Sequence, residues 1–296
     1  MSETLWTIRS CLEWTEQHLK HRNEANPRLS AQWLLVHATG LERVELYMHF
    51  DQPLTIEERN ALREAIQRRL SGEPLQYISG RTSFRYIELA VRPGVFIPRP
   101  ETEMLVELVS RMLGDIKPIR LLDVGCGSGA IVLALLHELP EVSAVATDIS
   151  SEAVALTVEN ARSMGETILE RLRVVQDDLA TTLLDDSELS GHFDVIVSNP
   201  PYIPSEELTG LPKEVVDFEP RLALDGGTDG LGLFRRLLGQ AKKLLKPNGL
   251  LAVELYETKL ESAANLSFVE GFQDVSIHTD LTGRPRFLTA RSADGE

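Results

Sequence analysis

The sequence predicts an α/β protein: a doubly wound, seven-stranded mixed sheet, preceded by a small N-terminal helical bundle and a connecting β-hairpin. Three observations carry this. From Ile119 onward, short apolar strand-like runs alternate with helical stretches, the pattern of a parallel sheet covered on both faces. Residues 1–72 show helix signals only. Residues 73–100 change to a strand-like pattern with a Pro-Gly turn. The expected domains are therefore a helical domain over 1–72, a linker and hairpin over 73–100, and a sheet domain over 101–296. The length of 296 residues, 43% hydrophobic, suits one large domain and a smaller one.

In the bundle, Asn26-Pro27 offers an N-cap with proline at the first helical position. Leu29, Trp33, Leu34 and Val36 line one face and Gly40 ends it. Thr55-Ile56-Glu57-Glu58 fits a capping box, and Ala61, Leu62, Ala65, Ile66 and Leu70 follow at helical spacing up to Gly72. Phe84, Ile87, Leu89, Val91, Val95 and Ile97 suggest a hairpin turning at Pro93-Gly94. Pro98-Arg99-Pro100 leads into a helix from Glu101 to Leu113. Strands are expected at 119–124, 142–147, 172–175, 193–197, 250–255, 275–278 and 287–290. Helices are expected at 130–138, 152–164 and 231–245, the last ended by Pro247-Asn248-Gly249.

Leu-Leu-Asp-Val-Gly-Cys-Gly-Ser-Gly-Ala (121–130) places Gly125, Gly127 and Gly129 between a strand and a helix. Glycines let the backbone turn tightly and approach a ligand with no Cβ in the way. Asp148 ends the next strand, 23 residues after Gly125. A carboxylate there can accept both hydroxyls of a ribose. The loop also fits a dinucleotide fingerprint. Asp123 and Gly129 favour the Asp-x-Gly-x-Gly-x-Gly form of S-adenosylmethionine enzymes, as does the absence of an obvious hydride-transfer partner. Cys126 and Ser128 complete the loop, with Cys126 as a small filler. Asp178 and Leu179, at the end of the third strand, are candidates to hold the adenine amino group and cover its ring.

The fourth strand stops on Asn199-Pro200-Pro201-Tyr202. Two prolines end strand pairing. In a doubly wound sheet this turn lies beside the glycine loop. An amide or aromatic amine is a poor nucleophile because its nitrogen lone pair is delocalised. Two acceptors on its N–H groups, the Asn199 side-chain carbonyl and the Pro200 backbone carbonyl, favour a pyramidal nitrogen, and the Tyr202 ring can pack on the planar group. Rigid prolines hold the acceptors without reorganisation. Methyl transfer to nitrogen follows from the loop and the turn together.

Net charge is -15. Residues 1–80 hold 9 basic against 11 acidic residues, so most of the acidity lies in the sheet domain. That disfavours a general duplex-DNA binder. Two cysteines exclude a disulfide framework, and no Cys/His spacing suggests zinc, so no metal is expected. No apolar run suggests a membrane span, and the N-terminus lacks a signal-peptide pattern. A cytoplasmic protein with no membrane partner is expected.

Six blocks now carry a family resemblance: Glu-Pro-Leu-Gln-Tyr-Ile-Ser-Gly (73–80), Gly-Val-Phe-Ile-Pro-Arg-Pro-Glu-Thr-Glu (94–103), the glycine loop, the Asn-Pro-Pro-Tyr strand end, Glu-Pro-Arg-Leu-Ala-Leu-Asp-Gly-Gly-Thr-Asp-Gly (219–230) and Gly-Arg-Pro-Arg-Phe (283–287). They resemble the peptide chain release factor glutamine N5-methyltransferases, the PrmC/HemK family, over about residues 28–291. The resemblance implies a methyltransferase-type sheet and S-adenosylmethionine bound by Gly125 to Gly129, Asp148 and Asn199. It implies that Asn199 to Tyr202 hold the glutamine of the Gly-Gly-Gln loop in class-1 release factors, and that the helical domain docks that protein. No direct nucleic acid contact is expected. DNA adenine N6-methyltransferases share the Asn-Pro-Pro-Tyr turn, and a glutamine in another protein, such as a ribosomal protein, would offer the same amide. Two positions depart from the family. Leu179 stands where many relatives carry an aromatic. Val-Glu-Leu-Tyr-Glu-Thr-Lys (253–259) replaces Glu-Ile-Gly-x-x-Gln, a change expected to affect local packing only.

Overall fold

The computed structural model describes residues 5–114, 118–189 and 191–293. The chain divides into two compact units, residues 1–81 with 212–218, and residues 82–211 with 219–296. In the first unit lie α1 (Ile8–Lys20), α2 (Pro27–Thr39), α3 (Arg43–Met48), α4 (Ile56–Leu70) and α5 (Leu75–Ser79). The Thr55 capping box forms in both directions: Glu58 N–H donates to Thr55 Oγ1 at 3.1 Å, and Thr55 N–H to Glu58 Oε2 at 2.7 Å. Asn26 precedes Pro27 as expected, but its side chain caps nothing. Leu12, Leu19, Leu34, Leu35, Leu46 and Ile66 meet in one core.

The expected boundary at 72 moves to Arg81, because Leu75 and Ile78 of α5 belong to that core. The unit also takes residues 212–218, which the sequence pattern did not reveal. Arg69 accounts for part of this. It donates to both Glu24 oxygens and, at 2.9 Å, to Glu214.

The second unit begins at Thr82, the second residue of the hairpin strand β1 (Arg81–Phe84), which pairs with β2 (Ile87–Ala90). Its turn is at Arg85-Tyr86, not at Pro93-Gly94 as expected. Arg85 takes a positive φ of 49° and is anchored by a bidentate pair with Glu138. The remaining elements follow in order: α6 (Glu103–Leu113), β3 (Ile119–Val124), α7 (Ala130–Glu138), β4 (Val142–Asp148), α8 (Ser151–Met164), α9 (Glu166–Leu169), β5 (Leu172–Gln176), β6 (Phe193–Ser198), α10 (Lys213–Phe218, in the first unit), α11 (Gly232–Leu244), β7 (Leu245–Glu254), α12 (Leu260–Glu270), β8 (Gln273–Thr279) and β9 (Pro285–Arg291). α12 was not expected. Pro247-Asn248-Gly249 lies within β7 rather than before it, beside a register shift against β6.

The sheet order is β5-β4-β3-β6-β7-β9-β8, parallel from β5 to β7 with β9 antiparallel to both its neighbours. This is the doubly wound mixed sheet expected. One face buries Leu121, Ala144, Ala146, Val195 and Ala252, and the other Leu122, Val124, Val145, Ile196 and Leu251, the alternation of a sheet covered on both sides. Strand order reverses between β3 and β6, the place where ligands bind in such sheets. Val124 is level with Thr147 on one side and Ser198 on the other. Gly125, Asp148 and Asn199 therefore emerge together at the carboxyl end. Among the described residues, no helix is long and apolar enough to cross a membrane.

Candidate active site

A cavity of about 340 Å³ opens at this switch point. Gly125, Cys126, Gly127, Ser128, Asp148, Asp178, Leu179, Asn199 and Pro201 line it. Of the residues picked out from the sequence, Gly129, Pro200 and Tyr202 are not among those lining it.

The glycines do different work. Gly125 (φ 77°) and Gly127 (φ 58°) need the left-handed region, and a Cβ on either would meet only open space. Gly129 is a packing glycine: a Cβ there would come within 2.9 Å of Leu133 Cδ1 and 3.0 Å of Thr157 Cγ2. Thr157 Oγ1 donates to the Gly127 carbonyl at 3.0 Å. Buried Asn160 donates to the carbonyls of Ser128 and Ala90, tying the loop to β2. Cys126 is buried, and burial pushes its thiol well up, so it stays protonated and acts as a filler.

Two carboxylates flank the loop. Asp148 accepts from Gly127 N–H through Oδ2 and from Ser150 N–H through Oδ1, both at 2.9 Å. Each oxygen keeps a further lone pair. Burial raises its carboxyl against the pull of those backbone donors. Asp123 is fully buried beneath the loop. Its Oδ2 accepts from Val132 N–H at 3.2 Å, while its Oδ1 has no partner. Burial pushes it up to about 7. A nucleoside with a vicinal diol fits here: open glycines and spare lone pairs on the cavity-lining Asp148 carboxylate. At the far end of the cavity, Asp178 already pairs with Arg236 at 2.7 Å. Leu179 adopts a positive φ of 57° and packs on the apolar layer behind it.

The Asn-Pro-Pro-Tyr turn is held by residues far away in sequence. Asn199 Nδ2 donates to Thr102 Oγ1 at 3.1 Å. The Thr102 hydroxyl donates to Glu254 Oε2 at 2.7 Å, and the Tyr202 hydroxyl donates to Glu254 Oε1 at 3.2 Å. Thr102 and Glu254 are both buried. The 253–259 stretch does more than pack locally: its Glu254, the glutamate the family pattern also has, joins both ends of the turn. Tyr256, in the same block, stacks on Tyr202 with ring centroids 6.2 Å apart and donates to Glu207.

Beyond Tyr202 the chain is gripped by the Asp-Gly-Gly-Thr-Asp-Gly loop. Ile203 N–H donates to Leu224 O at 3.0 Å, and Gly226 N–H to Ile203 O at 2.9 Å. A Cβ on Gly226 would lie 2.7 Å from Tyr202 Cα, so this close approach requires glycine. The Pro-Arg-Pro-Glu-Thr-Glu block is fixed in turn by an ion pair between Arg99 and buried Glu219. Thr102, Glu254 and Glu219 were missed as site residues. Thr102 and Glu219 sit in blocks that carry the resemblance, whereas Glu254 sits in the 253–259 stretch read as a departure.

The family model described as PrmC N-terminal domain matches residues 10–80, and that described as methyltransferase small domain matches residues 87–214. A release factor glutamine methyltransferase of Geobacter sulfurreducens is 40% identical over 97% of this chain and 97% of its own. Those of Rhodopirellula baltica and Moorella thermoacetica are 36% and 38% identical, over 99% and 96% of this chain and 98% of each of theirs. Among solved structures, the hMettl16 catalytic domain in complex with MAT2A 3'UTR hairpin 6 superposes with a TM-score of 0.56 over 70% of this chain and 76% of that one. At 17% identity it speaks for the fold alone. Near-full-length identity of this size, together with the glycine loop and the Asn-Pro-Pro-Tyr turn on one cavity, makes the chain a member of the release factor glutamine methyltransferase family.

Proposed function

We propose that the protein transfers a methyl group from S-adenosylmethionine to the side-chain amide nitrogen of a release factor glutamine, the one in the Gly-Gly-Gln loop that the family resemblance implies. One observation carries the reading of the site. The Asn199 amide lines the cavity that holds Gly125 and Asp148, and its NH₂ is tied back to Thr102, leaving its carbonyl as an acceptor. S-adenosylmethionine, when bound, supplies an electrophilic methyl group on a sulfonium. Gly125 to Gly129 would let the backbone approach it, Asp148 would accept from its ribose hydroxyls, and Asp178 and Leu179 would serve the adenine. Asn199 and the Pro200 carbonyl accept from the two N–H groups of the glutamine amide, Pro201 keeps the turn rigid, and Tyr202 backs it. Orientation and a preformed polar site supply the rate.

The first unit would dock the release factor, supported by its match to the family's N-terminal domain. The strongly acidic sheet domain supports a protein rather than a nucleic acid substrate, and a translation factor as substrate supports a cytoplasmic setting. The test is mass spectrometry of a class-1 release factor incubated with the protein and labelled S-adenosylmethionine. One methyl on the Gly-Gly-Gln glutamine is expected. Labelling of another protein's glutamine, or of adenine in DNA, would replace this reading.

A further inference from the structure

We propose that Thr102 and Glu254 are positioning residues that set which end of the Asn199 amide faces the substrate, a role that rests on the reading of Asn199 given above. The nitrogen and oxygen of an amide are nearly the same size and shape, so packing alone does not choose between the two orientations. Hydrogen-bond polarity does. An ionised carboxylate can only accept. Thr102 has one hydroxyl proton, and at 2.7 Å from Glu254 Oε2 that proton belongs to a charge-assisted bond. The threonine oxygen then offers only lone pairs towards Asn199, so it accepts from Nδ2 and rejects Oδ1. The carbonyl is left for the cavity, where an N–H of the substrate amide requires an acceptor.

The same carboxylate takes the Tyr202 hydroxyl on its other oxygen, so a single buried group orients both ends of the turn. Each of its oxygens faces a hydroxyl donor, Thr102 at 2.7 Å and Tyr202 at 3.2 Å. Burial raises its carboxyl and Glu101 adds to the rise, while the Thr102 and Tyr202 hydroxyls and Arg286 on β9 pull it back towards the ionised, acceptor-only form. Arg286 is itself held by Asp280 at 3.4 Å. Thr102, Tyr202 and Arg286 come from three separated stretches of chain and converge on Glu254.

The test uses the full-length protein with a release factor as substrate, and compares Thr102→Val, Thr102→Ser, Glu254→Gln and Asn199→Ala. Thr102→Val keeps the shape but removes the hydroxyl. It is expected to lower single-turnover kcat about tenfold or more, with cofactor affinity by calorimetry within about twofold. Thr102→Ser restores the hydroxyl and should return the rate to within about threefold of the parent. Glu254→Gln keeps the volume but can also donate, so it loses the strict polarity and should slow the reaction even if Thr102→Val fails to fold. Parental rates in Thr102→Val, or in Glu254→Gln, with a slow Asn199→Ala would overturn the positioning role alone. A slow Thr102→Ser would do the same, since the methyl group rather than the hydroxyl would then matter. A parental rate in Asn199→Ala would instead remove the reading on which the role rests.

Discussion

The two halves of the cavity treat buried charge in opposite ways. On the glycine-loop side, Asp123 has an oxygen with no partner, and Asp148 keeps unused lone pairs on both of its own. On the Asn-Pro-Pro-Tyr side, burial raises Glu254 as well, but both its oxygens accept from hydroxyls and Arg286 adds a favourable charge, although Arg286 Nε has no partner of its own. An unmatched buried charge costs stability, whereas a fully bonded one fixes geometry. The loop half thus keeps acceptor capacity free, whereas both oxygens of the clamp half's carboxylate are already bonded. Binding energy would be gained in the first and preorganisation stored in the second.

The largest expected effect breaks this contrast through pH. Burial raises Asp123 from 3.8 to about 7. A carboxyl whose pKa is raised on folding contributes stability at low pH that is lost as pH climbs to the folded value. Between about pH 4 and 7 this residue alone should cost the ligand-free fold on the order of 4 kcal/mol, at 1.36 kcal/mol per unit. Denaturant melts of the parent and Asp123→Asn across pH 5 to 8.5 should show the parent losing more stability. S-adenosylmethionine, by offering positive charge, should recover more of it at pH 8.5 than at pH 5. Parallel curves for the two proteins would mean that Asp123 has found a partner and that the loop half is as saturated as the clamp.

The next effect is on the clamp. Asn199→Ala should lower kcat about a hundredfold or more, the scale for loss of one preorganised polar group, with little change in cofactor affinity. Single-turnover methylation of a release factor, with calorimetry alongside, separates the two. Asp148→Ala should do the reverse. It removes charge-assisted bonds worth roughly 1.5–3 kcal/mol each, so the cofactor Kd should rise by tenfold or more while saturated kcat falls far less. If both variants lost rate and affinity together, the halves would be one unit and the contrast would fail.

The same contrast explains what could be read from the sequence. The loop half is local. Gly125, Gly127 and Asp148 follow strands whose alternation is plain, and parallel pairing with Val124 level with Thr147 brings them together. The clamp half is not local. Asn199 and Tyr202 announce themselves by the two prolines between them, but Thr102 and Glu254 are 97 and 55 residues away from Asn199 and look like an ordinary threonine and a strand-end acid. Nothing in periodicity pairs them. For the same reason Tyr202 reads as a packing ring, although its hydroxyl donates to Glu254. The hairpin turn was misplaced because Pro93-Gly94 is the stronger local turn signal, while Arg85 turns the chain through an ion pair to Glu138, 53 residues on. The 212–218 segment is the extreme case: a seven-residue stretch joins the first unit through Arg69 and Glu214, with no composition shift to mark it.

The smallest effect sharpens the comparison within the loop half. Leu179 holds φ at 57°, a region that disfavours a side chain with a Cβ by roughly 1–2 kcal/mol. Asparagine tolerates that region because its short polar side chain bonds locally. Leu179→Asn should therefore relieve backbone strain but remove a partly buried apolar surface from the cavity wall and from the layer behind it. The lost packing of a half-buried leucine is of similar size, on the order of 1 kcal/mol, so net stability should change by less than about 1 kcal/mol. Cofactor affinity has no such compensation. If Leu179 covers the adenine, calorimetry should show binding weakened severalfold, with single-turnover rate at saturating cofactor unchanged. Strain retained at a ligand-facing position, with no gain in stability, is the signature of a residue kept for binding. Unchanged affinity together with a clear rise in melting temperature would place Leu179 outside the cofactor contact and leave its φ as an ordinary strand-end turn.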